Sequence, residues 1–253
     1  MSPRFVRTDW PSFLDRFHSQ RPGITEALLG RCRDEAGFDP YQWLAAAAPR
    51  GGTILDVACG SGPTRRLVDG SWIGVDRSMS ELRRATENRD AAVVRADALE
   101  LPLGTASVDH VMCTMALMLI SPVEDALGEI RRVLAPGGTL HLLLPARRPL
   151  RSGDTWRYLR LYLALGSTAR FPPSPLRRRP DLALARGGFA VTSTERRRFA
   201  YPIADSASAQ RLIDALYLPG VPTARLDRAA RVVDTWVGSA IGIALGHISA
   251  RRT

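Results

Sequence analysis

Apolar positions change their rhythm twice along the chain. Residues 1–50 carry helix-forming stretches, Ile24–Cys32 and Pro40–Ala48, separated by Gly37 and Pro40 and closed by the turn Pro49-Arg50-Gly51-Gly52. From Thr53 onward short apolar runs alternate with helical segments. The runs Thr53–Ala58, Trp72–Val75, Ala92–Arg95, Val108–Thr114 and Thr139–Leu144 read as buried strands. Pro63–Val68, Ser80–Asn88 and Val123–Leu134 read as helices between them, the last stopped by Ala135-Pro136-Gly137-Gly138. Strands spaced by helices require crossover connections, which place parallel strands in one sheet covered on both faces.

Beyond Pro145 the regularity fails. Asp154–Leu165, Ser206–Leu218 and Thr223–Val237 read as helices, Phe189–Tyr201 and Ala240–Ser249 as strands, and Phe171–Pro180 is rich in Pro and Arg. In Arg196–Arg198 successive side chains of a strand point to opposite faces and cannot all serve one ligand. The change near residue 150 marks an appendage on a regular core, and no internal repeat is present. The expected organisation is one α/β domain over 1–253: a Rossmann-like, doubly wound, mostly parallel seven-stranded sheet with an N-terminal helical cover (1–50), a central core (51–145), an acceptor or lid segment (146–187) and final strands and helices (188–253).

The informative segment is Ile54-Leu55-Asp56-Val57-Ala58-Cys59-Gly60-Ser61-Gly62-Pro63, a strand entering a Gly-x-Gly turn that opens toward a helix. A phosphate loop needs Gly-Lys-Ser/Thr, and the chain contains no lysine. A dinucleotide fold places a third glycine where Arg65 stands. Asp56 would also repel a pyrophosphate. An acid there suits a cationic, phosphate-free ligand such as S-adenosylmethionine. Asp76 ends the second strand, where a carboxylate accepts ribose hydroxyls, and Asp97 follows the third, where one accepts from an adenine amine. A strand-end Asp alone often only caps the next helix, but three in order converge at the carboxyl ends of adjacent strands.

At this point the sequence resembles the class I S-adenosylmethionine-dependent methyltransferases, within them the small-molecule group related to ubiquinone and menaquinone biosynthesis. The segments that carry the resemblance are ILDVACGSGP (54–63), WIGVDRSMSEL (72–82), VVRADALELPLGTASVDHV (93–111) and ALGEIRRVLAPGGTLHL (126–142). It implies S-adenosyl-L-methionine as methyl donor, with S-adenosyl-L-homocysteine as product. Gly60 and Gly62 would line the methionine moiety and Asp56 its ammonium. Asp76 would bind the ribose, and Asp97 with the backbone of Ala98 the adenine. Cys113 and Thr114 would lie under the sulfonium. Ala58 and Cys59 complete the loop. Ala58 stands where the family often has glycine, an exchange tolerated if the backbone stays extended. Arg77 replaces an apolar residue that packs on adenine, and its guanidinium would stack there instead. Cys59 and Cys113 read as small buried hydrophobes without thiol chemistry.

On the acceptor side, FHSQRPGIT (17–25) resembles the N-terminal cover of related enzymes, with Arg21 facing the donor carboxylate and His18 the acceptor as candidate base. His110 and His141 fall in strands, where satisfied core roles are expected. Met115, Leu117 and Met118 suggest an apolar wall. Trp156, Tyr158 and Tyr162 would add ring-stacking surface from the segment after the fifth strand. Base-amino methyltransferases carry a polar-Pro-Pro-aromatic motif after the fourth strand, and Cys113-Thr114-Met115-Ala116 lacks it. The expected acceptor is a small, apolar or aromatic metabolite.

The 253 residues carry a formal charge of +10, and all 35 basic side chains are arginine. That charge keeps an RNA methyltransferase in play as an alternative, although the arginines are scattered without aromatic interleaving. A cofactor-binding protein of this fold without methyl transfer is the other. Three separated cysteines exclude a disulfide scaffold and a cysteine-rich zinc site, and no metal is expected. No apolar run approaches the roughly 18–20 residues that span a bilayer, and Met1–Phe13 lacks the apolar segment of a signal peptide. A cytoplasmic monomer or homodimer is the expected form.

Overall fold

The computed structural model describes residues 8–48, 50–87 and 92–253; Pro49 and Asn88, at two of the expected boundaries, and Met1–Arg7 of the expected N-terminal segment lie outside them. Helices α1 (Trp10–Gln20), α2 (Ile24–Leu29) and α3 (Pro40–Ala47) precede β1 (Thr53–Val57), β2 (Ser71–Asp76), α4 (Met79–Thr86), β3 (Ala92–Arg95) and β4 (Val108–Thr114). There follow α5 (Val123–Val133), β5 (Leu134–Pro145), α6 (Ser152–Leu165), α7 (Pro175–Arg178), α8 (Pro180–Arg186) and β6 (Phe189–Ile203). The chain ends with α9 (Ser206–Asp214), α10 (Thr223–Asp234) and β7 (Ser239–Arg252).

The strands form one seven-stranded sheet in the order β3-β2-β1-β4-β5-β7-β6. β1 to β5 pair in parallel, and β7 runs antiparallel between β5 and β6. This is the expected Rossmann-like, mostly parallel arrangement. Strand order reverses between β1 and β4, so the crevice of an open α/β sheet falls at their carboxyl ends.

The central strands are buried on both faces because they alternate between two cores, while the edge strands β3 and β6 are largely exposed. Ile54, Met112 and Leu143 face one core, with Leu44, Trp43, Leu161, Phe199 and Tyr201. Leu55, Val57, Val111, Cys113, Leu140 and Leu142 face the other, with Leu127, Ile130 and Leu184. Among the described residues no helix is long and apolar enough to cross a membrane.

Two local expectations are corrected. Pro63–Val68 forms successive turns, with Arg65 N–H donating to Gly62 at 3.3 Å and Leu67 N–H to Thr64 at 2.9 Å. The segment is too short to offset helix nucleation, Leu67 finds no core to bury in, and the Thr64 hydroxyl is drawn to Asp56. Ala135-Gly138 does not separate helix from strand but bulges within β5: Leu134 pairs with Val108, and Thr139 with His110.

The histidines predicted to sit in strands are bonded side by side across the sheet. His110 Nδ1 meets Thr139 Oγ1 at 2.8 Å, which meets His141 Nε2 at 3.0 Å, and Ser249 Oγ bridges His141 and His247 at 3.1 and 3.3 Å. Burial, then His247 and His110, depress His141 to about 4, so it is neutral near pH 7. No cluster of His, Cys, Asp or Glu among the described residues is arranged to hold a metal.

The appendage is clamped by Asp154 at the start of α6. Its carboxylate accepts from Arg198 Nε and Nη2 at 2.6 and 2.8 Å, from Arg151 N–H at 2.8 Å and from Gly242 N–H at 2.7 Å. Burial opposes ionisation of Asp154, but these donors outweigh it and hold the carboxyl down at about 2. Arg197, its side chain on the opposite face from Arg198, pairs with Asp34 at 2.8 Å and stacks on Trp43. Removing one member of such a pair strands the other charge. Asp154→Ala is expected to lower the unfolding free energy by about 3–5 kcal/mol, read as a drop in the urea midpoint at pH 7.

Candidate active site

A cleft of about 1090 Å³ opens at the carboxyl ends of β1, β2, β3 and β4. Asp56 and the turn after β1 form its floor, Asp76 and Asp97 its flank, and Thr114 and Met115 the end of β4. Its roof comes from α1, through Trp10, Leu14, Asp15 and His18, with Tyr217 beyond.

The turn is held by its own strain and by two carboxylates. Ala58 has φ +56° and Gly60 φ +56°. The extended backbone expected at Ala58 is therefore corrected: alanine occupies the left-handed region, at a cost of roughly 1–2 kcal/mol. Met115, at the opposite wall, is also left-handed, with φ +60°. Strained residues of this kind persist where surrounding structure over-determines them, commonly at functional sites. Asp76 accepts from Gly60 N–H through one oxygen and from Ser78 N–H through the other, both at 2.8 Å.

Asp56 is only 1% exposed. One of its oxygens accepts from the Thr64 hydroxyl, which in turn accepts from Trp72 Nε1 at 3.2 Å. Its other oxygen, Oδ1, is buried without a partner, as is the Thr114 hydroxyl. Burial, the dominant influence, pushes the Asp56 carboxyl up to about 7, against the Thr64 and Trp72 bonds and with help from Asp76. Asp76 is raised for the same reason, despite its two amide donors. Burial also raises the Cys59 and Cys113 thiols, which stay protonated.

The cleft gathers many of the residues expected there. His18, Asp56, Ala58, Cys59, Gly60, Asp76, Arg77, Asp97, Ala98 and Met115 all line it. Six others do not. Gly62 faces inward, where a side chain would meet the Trp72 ring at 3.5 Å and Ala85 at 3.6 Å. Cys113 and Met118 are buried in the core on the α5 side of the sheet. Arg21 is exposed and stacks on Phe17. Trp156 is 61% exposed on α6, and Tyr162 packs on Tyr158. α6 docks on α10 and β7, and neither ring lines the cleft. Arg77 lies at the rim, but its guanidinium pairs with Asp15 of α1 at 2.8 Å, which corrects its expected stacking role.

Sequence reasoning missed Glu26, Ser61, Glu81 and Tyr217. The Ser61 hydroxyl donates to Glu26, and Glu81 accepts from Gly23 N–H at 2.8 Å and meets His18 Nδ1 at 3.1 Å. Tyr217 meets His18 Nε2 at 3.1 Å. These contacts join segments up to 199 positions apart, so no local spacing signals them. The apolar lining of the cleft includes Trp10, Leu14, Met115, Leu119, Ile120 and Pro172.

Six carboxylates, Asp15, Glu26, Asp56, Asp76, Glu81 and Asp97, line the cleft against four arginines, Arg16, Arg77, Arg83 and Arg95, so the lining carries an excess of acid within a basic protein. A buried carboxylate oxygen without a partner beside a glycine turn fits a ligand carrying positive charge, such as an ammonium with a neighbouring sulfonium. It disfavours a pyrophosphate.

The known methyltransferase-domain family matches residues 55–142. The demethylmenaquinone methyltransferase of Roseiflexus sp. (strain RS-1) is 31% identical over 134 residues, covering 49% of this chain and 56% of that protein. The malonyl-[acyl-carrier protein] O-methyltransferase of Alcanivorax borkumensis is 38% identical over 100 residues, covering 36% of this chain and 34% of that protein. The chain thus spans from about a third to just over half of the length of these curated relatives. Among solved structures, the [4+2]-cyclase SpnF shares the fold at a TM-score of 0.61 and 18% identity, over 94% of both chains. The strand order and the ordered acids agree with this match: residues 55–142 are similar to methyltransferase domains, among them those of quinone-biosynthesis enzymes.

Proposed function

We propose that the protein transfers a methyl group from S-adenosylmethionine to a small, apolar or aromatic acceptor. The observation that carries this reading is the unpartnered Asp56 Oδ1 at the floor of an acidic cleft. The Gly60 turn and Asp56 would hold the methionine end, Asp76 the ribose, and Asp97 with Ala98 the adenine. The donor supplies a methyl on sulfur, a leaving group already activated. The chain's own task is then to align the reactants and exclude water, which is worth roughly 7–11 kcal/mol in well-oriented reactions. α1 closes over the strand ends through Asp15–Arg77 and through His18, bonded to Glu81.

Of the acceptors in the relatives' names, demethylmenaquinone and a malonyl group on an acyl-carrier protein, the wall of Trp10, Leu14, Met115, Leu119, Ile120 and Pro172 favours an apolar ring. The acidic lumen works against a polyanionic RNA. A labelled-donor assay on a metabolite pool separates methyl transfer from donor binding alone.

Calorimetry is expected to show micromolar donor binding. Asp76→Ala is expected to weaken it by about 3 kcal/mol, a factor of about 150. No binding at millimolar donor would end the reading. Asp56 links binding to pH. Its carboxyl titrates near 7 in the fold against an ordinary value of 3.8. The stability it contributes is complete below 3.8 and is lost as pH rises through 7. Asp56→Asn is therefore expected to unfold at a higher temperature than the parent at pH 8, by at most about 4 kcal/mol. Scanning calorimetry should show the gap closing by pH 4, while donor affinity falls.

A further inference from the structure

Opposite the strand ends, three side chains are bonded in series. Glu81 Oε2 accepts from Gly23 N–H at 2.8 Å, and its Oε1 lies 3.1 Å from His18 Nδ1. His18 Nε2 lies 3.1 Å from the Tyr217 hydroxyl. A carboxylate only accepts hydrogen bonds, so His18 Nδ1 carries a proton and donates it to Glu81. In the neutral ring Nε2 is then an acceptor, and the Tyr217 hydroxyl donates to it. Tyr217 oxygen is left with lone pairs and no further donor of its own. Burial raises the phenol's pKa, which keeps that donating proton in place. Phe13, Phe17 and Phe171 pack edge-on or at a steep angle against the Tyr217 ring and hold it against the cleft.

Resting on the methyl-transfer reading, we infer that Tyr217, His18 and Glu81 form a proton relay, and that the acceptor is a phenol methylated on oxygen. The acceptor hydroxyl gives its proton to Tyr217 oxygen as Tyr217 gives its own to His18 Nε2. Glu81 then faces an imidazolium. The acceptor oxygen forms the new O–CH3 bond, and the electron pair of the broken S–CH3 bond stays on sulfur. Tyr217 is the catalytic residue in this arrangement. His18 and Glu81 act through it as positioning residues.

The phenol follows from the strength of the base. A phenolic hydroxyl titrates near 10, whereas water titrates near 15.7 and alkanols are comparably weak acids. A neutral imidazole, ordinarily near 6.5, draws a proton through one hydroxyl more readily from the first than from the second, because the pKa gap is smaller. The apolar wall of Leu14, Met115, Leu119, Ile120 and Pro172 fits the ring that makes such a hydroxyl acidic.

The probe is 4-nitrophenol, whose anion is yellow, added to protein saturated with S-adenosylhomocysteine at pH 6. The wild type is expected to show more bound anion than free dye shows at the same pH. Tyr217→Phe, which keeps the ring contacts, and Glu81→Gln, whose amide permits the opposite His18 tautomer, should each lose that excess. Both should retain S-adenosylhomocysteine affinity within about twofold by calorimetry, and Tyr217→Phe should lower labelled methyl transfer to 4-nitrophenol by about 10²-fold or more. An excess anion that survives in both variants overturns the relay, as does its absence in a wild type that binds S-adenosylhomocysteine. If the wild type fails to bind S-adenosylhomocysteine, the methyl-transfer reading itself falls.

Discussion

A carboxylate buried at the point where strand order reverses constrains most of what surrounds it. Asp56 lies at the end of β1 with one oxygen bonded to Thr64 and the other to nothing. An uncompensated buried charge is costly, and the fold accommodates it by shaping the turn around it. Thr64 is drawn to Asp56 rather than into a helix, and Trp72 reaches from β2 to support Thr64. Gly62, at φ +74°, takes a left-handed turn that favours a residue without a side chain. Ala58 and Gly60 turn left-handed, and Gly60 N–H reaches Asp76. The strain and the unsatisfied oxygen sit at one place, where a cation would relieve the charge.

Charge elsewhere in the molecule has another purpose. The +10 balance suggests a polyanion-binding surface when it is read as composition, yet many arginines serve as internal clamps. Arg198 grips Asp154, Arg197 bridges Asp34 and Trp43, and Arg132 donates to Glu129 and to the carbonyls of Leu101 and Leu103. The guanidinium fork suits such multiple bonding. The result is a basic shell stitched together by arginine around an acidic lumen. That polarity admits a cationic nucleoside more readily than a nucleic acid.

Four of the parallel strands, β1, β2, β4 and β5, were legible because burial between two cores leaves apolar runs; β4 and the exposed edge strand β3 fall on their predicted bounds. The floor of the cleft was legible for a related reason: Asp56, Asp76 and Asp97 each follow a strand, so local order along the chain maps onto order across the sheet. Gly62 misled because its spacing from Gly60 says nothing of which way a missing side chain would point. The helix expected at Pro63–Val68 failed because a tertiary bond to Asp56 competes for Thr64. Trp156 and Tyr162 were misplaced because aromatic content marks packing as readily as binding, and α6 turns toward α10. Tyr217 and Glu81 carried no signal, since their meeting at His18 depends on how α1 crosses the strand ends.

These two kinds of legibility divide the cleft into two halves with different physical origins. The floor is built from strand ends and one turn within residues 55–142, the same stretch that matches the methyltransferase family. The roof is assembled from Trp10, Leu14, His18, Pro172 and Tyr217, all outside that stretch. A roof residue exchanged for another leaves the sheet's pairing and both cores intact, whereas a change at Asp56 or Gly60 alters the turn itself. The floor is thus bound to the backbone geometry of the sheet, while the roof rests on side chains from α1 and the appendage. On the methyl-transfer proposal, the sheet would hold the donor and the roof would choose the acceptor.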